Sequence, residues 1–164
     1  KATAMETPLN EAVEIGIRQS FNDQSMLRSL NAEMTSLSLG HVGVEAQITD
    51  CFLNQHNFAH AGIAFTLGDT AGGYAAMSHY KAGSNVMTVE FKVNYLAPAR
   101  GKRLRAVGQV IRSGKRICVV AAEIFVVGSG KEDKIAAMQG TMIPLIKSIT
   151  ATLSVGSKNI VEPV

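Results

Sequence analysis

Hydrophobic positions change their spacing several times along the chain, and each change marks an element. Leu9, Ala12, Val13, Ile17 and Phe21 recur at helical spacing after Thr7-Pro8, a residue that can cap followed by one suited to a first turn. Asn22-Asp23 ends that helix, and Ser25–Leu30 allows one more turn. From Ala32 the period shortens. Met34, Leu37 and Leu39 lead to a turn at Gly40-His41-Val42-Gly43, and Val44, Ala46 and Ile48 then alternate with Glu45, Gln47 and Thr49, as in a half-buried strand. Asp50–Ala59 reads as a loop. Ala59–Tyr80 has no such alternation and many small residues, which predicts a long central helix. Each glycine in it lowers helix propensity by about 1 kcal/mol, so the segment makes sense only if something packs very close to its backbone. After a loop at Lys81–Asn85 come four β segments: Thr88–Tyr95, Leu104–Arg112, Ile117–Val127 and Lys134–Ile143. Pro98, Gly101, Ser113-Gly114 and Gly128-Ser129-Gly130 punctuate them, and Pro144 is expected to stop the last. In the first of the four, Val89, Phe91, Val93 and Tyr95 alternate with Thr88, Glu90, Lys92 and Asn94.

The order is helix, two strands, one long helix, then four strands joined by short turns. Hairpin-length turns imply antiparallel neighbours, and a sheet with one helix against a face is an α+β layer fold. At 164 residues a single domain is expected, over 1–144 with an N-terminal helical segment at 8–30, and 145–164 as a C-terminal extension along the surface. No apolar run approaches the 18 or so residues that span a bilayer, and Lys1–Glu6 lacks the apolar core of a signal peptide. The expectation is a cytoplasmic protein with no membrane partner. Cys51 and Cys118 form no CxxC or metal-ligand pattern and read as reduced core thiols.

One residue does not fit the apolar helix. Asp69 stands among small and apolar neighbours, where a charge costs several kcal/mol unless it is paired or functional. His60 lies nine residues upstream and Asn54 six before that. Net charge is +3, but the excess is local: Arg100, Lys102, Arg103, Arg105, Arg112, Lys115 and Arg116 fall close together. Such a cluster is either a solvated strand face or an anion site. No aromatic residues interleave with it for base stacking, so a phosphorylated small molecule suits it better than nucleic acid. His41, His56 and His79 read as surface or loop residues, and no His/Cys/Asp grouping has metal-ligand spacing.

The joint order of these pieces resembles the hotdog fold, a curved antiparallel sheet of about six strands around a central helix, and within it the PaaI-type acyl-CoA thioesterases. The resemblance rests on Asn54-Gln55-His56-Asn57-Phe58-Ala59-His60-Ala61-Gly62 and Leu67-Gly68-Asp69, which look like that family's Asn, loop, His-Gly-Gly and Leu-x-Asp. Thr88–Ala99 matches its next strand and proline end, and Arg112-Ser113-Gly114-Lys115 and Gly140-Thr141 its later turn and last strand. The first glycine of His-Gly-Gly is Ala61 here. The resemblance implies hydrolysis of a small or medium acyl- or aryl-CoA thioester, with no cofactor beyond the coenzyme A of the substrate. Tyr95, Pro98, Ala99 and Arg100, with Arg112, Ser113, Gly114, Lys115 and Arg116, would line its nucleotide end. Alternatives are a hotdog dehydratase or hydratase and a non-catalytic acyl-CoA-binding protein.

Geometry adds a constraint. If His60 opens the helix, the Ala61 and Gly62 N–H groups point out of its positive end, ready for a developing oxyanion. Asp69, eight residues beyond Ala61, is about 12 Å further along the axis. One thioester carbon cannot touch both. Two antiparallel helices side by side would unite them, which calls for a homodimer with shared sites; by resemblance, dimers would pair into tetramers. Asp69 would be general base or nucleophile, Asn54 would hold water or carbonyl, and His60 would orient the loop or polarise the carbonyl. Thr88 would steady the water or Asp69, yet its alternation places it with Glu90 and Lys92, facing away unless the strand begins irregularly.

Overall fold

The computed structural model describes residues 9–128 and 130–145. Helix α1 spans Glu11–Asp23 and is capped by Asn10, whose side chain accepts the Ala12 N–H at 3.0 Å. The Thr7-Pro8 start expected from sequence lies outside the described residues. Gln24 links α1 to the short helix α2, Ser25–Ser29. Strands β1 (Glu33–Ser38) and β2 (His41–Gln47) form a hairpin whose turn is tighter than expected, because Gly40 takes φ +75° and the strand resumes at His41. A 3₁₀ turn at Asp50–Phe52 precedes α3, Ala61–Met77. Then follow β3 (Asn85–Tyr95), β4 (Arg103–Ser113), β5 (Cys118–Val127) and β6 (Glu132–Leu145).

All six strands join one antiparallel sheet in the order β1-β2-β4-β5-β6-β3, so the α+β expectation holds. β6 does not stop at Pro144, which pairs with Val86 of β3. The β5 ladder ends at Met142, so on that side Pro144 sits at an edge and its missing N–H deprives no partner.

The core lies between α3 and the inner face of the sheet. Ala64, Leu67, Ala71 and Ala75 from α3 are buried against Val44, Leu104, Ala106 and Ile124. β5 alternates buried and half-buried positions along its whole length, the pattern of a central strand covered on one face. Cys118 is buried as expected, but Cys51 is exposed beside Thr49. It falls in the 3₁₀ turn, away from the sheet.

Contact between helix and sheet is at its tightest at Gly108 of β4. A Cβ there would stand 2.3 Å from the Ala71 carbonyl carbon and 2.5 Å from the Gly72 nitrogen. Gly68 and Gly72 face inward too, against Met138 and against Phe91 and Val120. The small residues on this side of α3 thus let the sheet come close. Its other face carries half-buried or exposed Gly62, Thr66, Asp69 and Gly73, a stripe at helical spacing. Asp69 belongs to this outer stripe and is half-buried, not sealed in the core.

Gly108→Ala would force two backbones apart. Overpacking of this kind lowers stability by about 3 kcal/mol, to be read from the denaturant midpoint. An unchanged midpoint would contradict the contact.

Candidate active site

α3 begins where the loop 53–60 is pinned down. Asn54 Oδ1 accepts the N–H groups of His56 (2.9 Å) and Phe58 (3.2 Å), while the Asn54 N–H donates to the Phe58 carbonyl at 2.8 Å. The Asn54 oxygen is therefore spent on the loop, and its amide NH₂ is the end left to meet a ligand. The Ala59 N–H donates to the Ala99 carbonyl at 3.1 Å, and the Arg100 guanidinium lies 5.0 Å over the Phe58 ring. Tyr95, Pro98, Ala99 and Arg100 are thus brought to the N-terminal end of α3. The Tyr95 hydroxyl donates to the first helical carbonyl, Ala61 O, at 3.1 Å, and burial raises its pKa above the ordinary tyrosine value.

His60 is the N-cap of α3, and its Nδ1 accepts the Gly62 N–H at 2.9 Å. A ring that accepts through Nδ1 carries its proton on Nε2, so His60 presents an N–H donor outward. Capping also narrows the expected oxyanion site. The Gly62 N–H is engaged, whereas the Ala61 N–H has no partner among the described residues. Ala61, at the exposed positive end of the helix, is the donor that remains.

Asp69 lies two turns on. Thr88 Oγ1 donates to Asp69 Oδ1 at 2.7 Å, and among the described residues no Lys or Arg pairs with this carboxylate. The alternation of β3 placed Thr88 on the wrong face. A bulge between Thr88 and Glu90 changes the phase. Val89, 56% exposed, is the extra residue. Val86 and Thr88 point inward before it, Phe91 and Val93 after it. Asp69 and Thr88 border a cleft of about 170 Å³ that Ser20, Gln24 and Tyr74 also line. None of these three stood out in the sequence. The available signal was Tyr74, a lone polar aromatic in the small-residue half of α3.

The remaining expected residues lie elsewhere. Arg112, Ser113, Gly114, Lys115 and Arg116 form the end of β4 and the turn into β5. The Tyr80 hydroxyl donates to Gly114 O at 3.0 Å, which ties this turn to the C-terminal end of α3. Ser113, Gly114 and Lys115 line a second cleft of about 570 Å³ with Tyr80 and Lys81. Within one chain the two groups of candidate nucleotide-binding residues stand at opposite ends of a 17-residue helix, about 25 Å apart. Two members of the basic cluster are committed to the sheet's outer face. Arg105 makes a forked pair with Glu132 (2.8 and 2.6 Å) and covers the Phe125 ring, and Arg103 pairs with Glu45 at 3.2 Å. The Glu132 bonds push the Arg105 pKa up, and Arg105 pulls that of Glu132 down. Among the described residues no three His, Cys, Asp or Glu side chains gather at metal-ligand range, and no helix is long and apolar enough to cross a membrane.

Residues 56–132 match the model of the Thioesterase superfamily. The acyl-coenzyme A thioesterase PaaI of Escherichia coli is 30% identical over 105 residues, 63% of this chain and 73% of its own. A relative from Halobacterium salinarum is 35% identical over 116 residues, 68% of this chain and 75% of its own. Among solved structures, a thioesterase family protein from Silicibacter pomeroyi superposes with a TM-score of 0.80 at 36% identity, covering 82% of this chain and 98% of that one. Matched by this family from its sheet to its helix-start loop, the chain belongs to the hotdog-fold thioesterases of PaaI type and is a thioester hydrolase.

Proposed function

We propose that the protein hydrolyses the thioester of a small or medium acyl-CoA at a site shared by two copies of the chain. The observation that carries this reading is the Asp69 carboxylate, held by Thr88 and without a cationic partner among the described residues, in the wall of a cleft. A carboxylate so placed keeps one oxygen free to take a proton from water or to attack the thioester carbon itself. The Thr88 hydrogen bond fixes which oxygen that is. The charge that develops on the thioester oxygen needs a donor, and the Ala61 N–H, without a partner among the described residues at a helix N-terminus, is suited to it.

Ala61 and Asp69 of one chain are about 12 Å apart along the helix. The outer stripe of α3, with Gly62, Thr66, Asp69 and Gly73, is slim enough for a second α3 running the opposite way. That arrangement brings Ala61 of one subunit to Asp69 of the other. It also brings the Tyr95–Arg100 stretch of one subunit towards the Arg112–Arg116 turn of the other, so the two basic groups face one coenzyme A. β3 offers an open sheet edge flanking this face, with Met87, Val89 and Tyr95 about half exposed. Asn54 contributes its amide NH₂ and His60 its Nε2–H toward the bound carbonyl or water. The enzyme acts as a homodimer, with dimers pairing into tetramers, in the cytoplasm and without a dissociable cofactor, coenzyme A entering as part of the substrate.

Thiol release measured with Ellman's reagent tests the chemistry. Asp69→Asn lowers kcat by 10²-fold or more, the order expected for loss of a general base. Ala61→Pro removes the N–H at a helix position that tolerates proline and lowers kcat by roughly 10²–10³-fold. Hydrolysis retained in Asp69→Asn would refute the assignment.

Coexpressing Asp69→Asn with Ala61→Pro tests the sharing of sites. In a mixed two-fold dimer one site is doubly damaged and the other intact, so activity returns to about a quarter of wild type. No recovery would place both groups in the same subunit's site. Finally, Lys115→Ala raises KM for acyl-CoA several-fold while leaving KM for the matching acyl-pantetheine, which lacks the nucleotide, unchanged. An equal rise for both thioesters would remove Lys115 from the nucleotide end.

A further inference from the structure

The cleft beside Asp69 is also lined by a polar trio that the hydrolytic step does not use. Ser20 on α1 and Gln24 just after it are one helical turn apart. Tyr74 reaches them from α3. Gln24 Nε2 donates to Tyr74 Oη at 2.6 Å, and Ser20 Oγ lies 3.0 Å from the same oxygen. The Tyr74 ring is buried and packs on Phe21 at 6.0 Å between centroids, so its hydroxyl is held in place.

Counting hydrogens shows what the trio has to offer. Each hydroxyl owns one hydrogen. The Ser20–Tyr74 bond consumes one of the two, whichever way it points. Gln24 supplies its own hydrogen to Tyr74 Oη. One hydroxyl hydrogen is therefore left over, with no acceptor among the described residues, and both oxygens belong to residues lining the cleft.

Size and charge restrict the ligand further. A cavity of about 150 Å³ takes a benzene ring, and this cleft is about 170 Å³. Tyr74 follows Asp69 by five residues, about 7.5 Å along the axis, and the volume of the cleft suits a short acyl group and not a fatty chain. Among the described residues no Lys or Arg lines the cleft, and Asp69 is in its wall, so an anionic group is disfavoured there.

We propose that Ser20, Gln24 and Tyr74 form a specificity subsite that selects short acyl groups bearing a neutral hydrogen-bond-accepting oxygen at the end remote from the thioester. The proposal rests on the reading of Asp69 as the hydrolytic group, since it takes the same cleft as the acyl site. Tyr74 and Ser20 act on the substrate's far end, and Gln24 positions the tyrosine hydroxyl.

The test uses isosteric pairs: 4-oxopentanoyl-CoA against 4-methylpentanoyl-CoA, and 5-oxohexanoyl-CoA against 5-methylhexanoyl-CoA. Within each pair only an oxygen and a methyl group differ. At one length or both, wild type prefers the oxo member by about tenfold in kcat/KM, the worth of one hydrogen bond. Ser20→Ala and Tyr74→Phe each reduce that ratio, and together they bring it to about one. Ser20→Thr, which restores a hydroxyl, keeps it. A wild-type ratio near one at both lengths overturns the proposal, as does a ratio that survives in the folded double variant. Should the double variant not fold, Ser20→Val at its half-buried position decides: a fall in the ratio supports the subsite and an unchanged ratio overturns it. Thiol release from none of the four thioesters overturns the hydrolytic reading and the subsite with it, whereas release without an oxo preference overturns the subsite alone.

Discussion

β4 crosses α3 so closely at Gly108 that no side-chain atom fits between the two backbones. That single approach fixes how the helix is rotated as well as how deep it sits. With Ala71 and Gly72 against the strand, Gly68 must also face the sheet, and Asp69, one residue on, is turned to the shoulder of the helix. There it is half-buried and within reach of Thr88. A bulkier residue at 108 would lift the helix and carry the carboxylate away from its hydroxyl. Packing close to native density allows little slack for such a shift, so core geometry and site geometry are one problem in this fold.

Charge is divided in a similar way. The outer face of the sheet neutralises itself: Arg105 with Glu132, Arg103 with Glu45, and Lys134 with Glu123, around the Phe125 ring. Solvent-exposed pairs of this kind contribute little stability, but they occupy the arginines that sequence proximity had grouped with the ends of the strands. Arg100, Arg112, Lys115 and Arg116 form no ion pair among the described residues. They lie at the two ends of α3, away from the ion pairs on the sheet's outer face.

Much of this was legible in the chain, because hydrophobic spacing and turn residues are local signals. The period-2 runs located β2, β4, β5 and β6 to within a few residues, and the glycines of the central helix announced close packing, which the structure shows at Gly68 and Gly72 and not at Gly73. What the glycines could not announce was the partner. Gly68 and Gly72 met the sheet, a non-local fact that spacing along the chain does not encode. The same limit explains Pro144, harmless because β5 ends opposite Met142, and the Ser20–Tyr74–Gln24 contacts, which join segments 50 or more residues apart. Asn54, His60 and Asp69 were visible as polar residues out of place. Their geometry was not: the Asn54 oxygen closes its own loop, and His60 takes up the Gly62 N–H.

Strand β3 holds two side-chain frames in one run of extended chain. Up to Thr88 the even-numbered residues point at the helix; from Phe91 onward the odd-numbered ones do, and Val89 is the splice between them. A regular strand could serve one frame only. It could bring a hydroxyl to Asp69, or it could lay Phe91 in the core and Tyr95 on the first carbonyl of α3, but not both. One supernumerary residue lets a single β-strand reach the middle of the helix and its beginning. The length of β3, counted to the residue, is in that sense as much a part of the site's chemistry as the identity of any side chain in it.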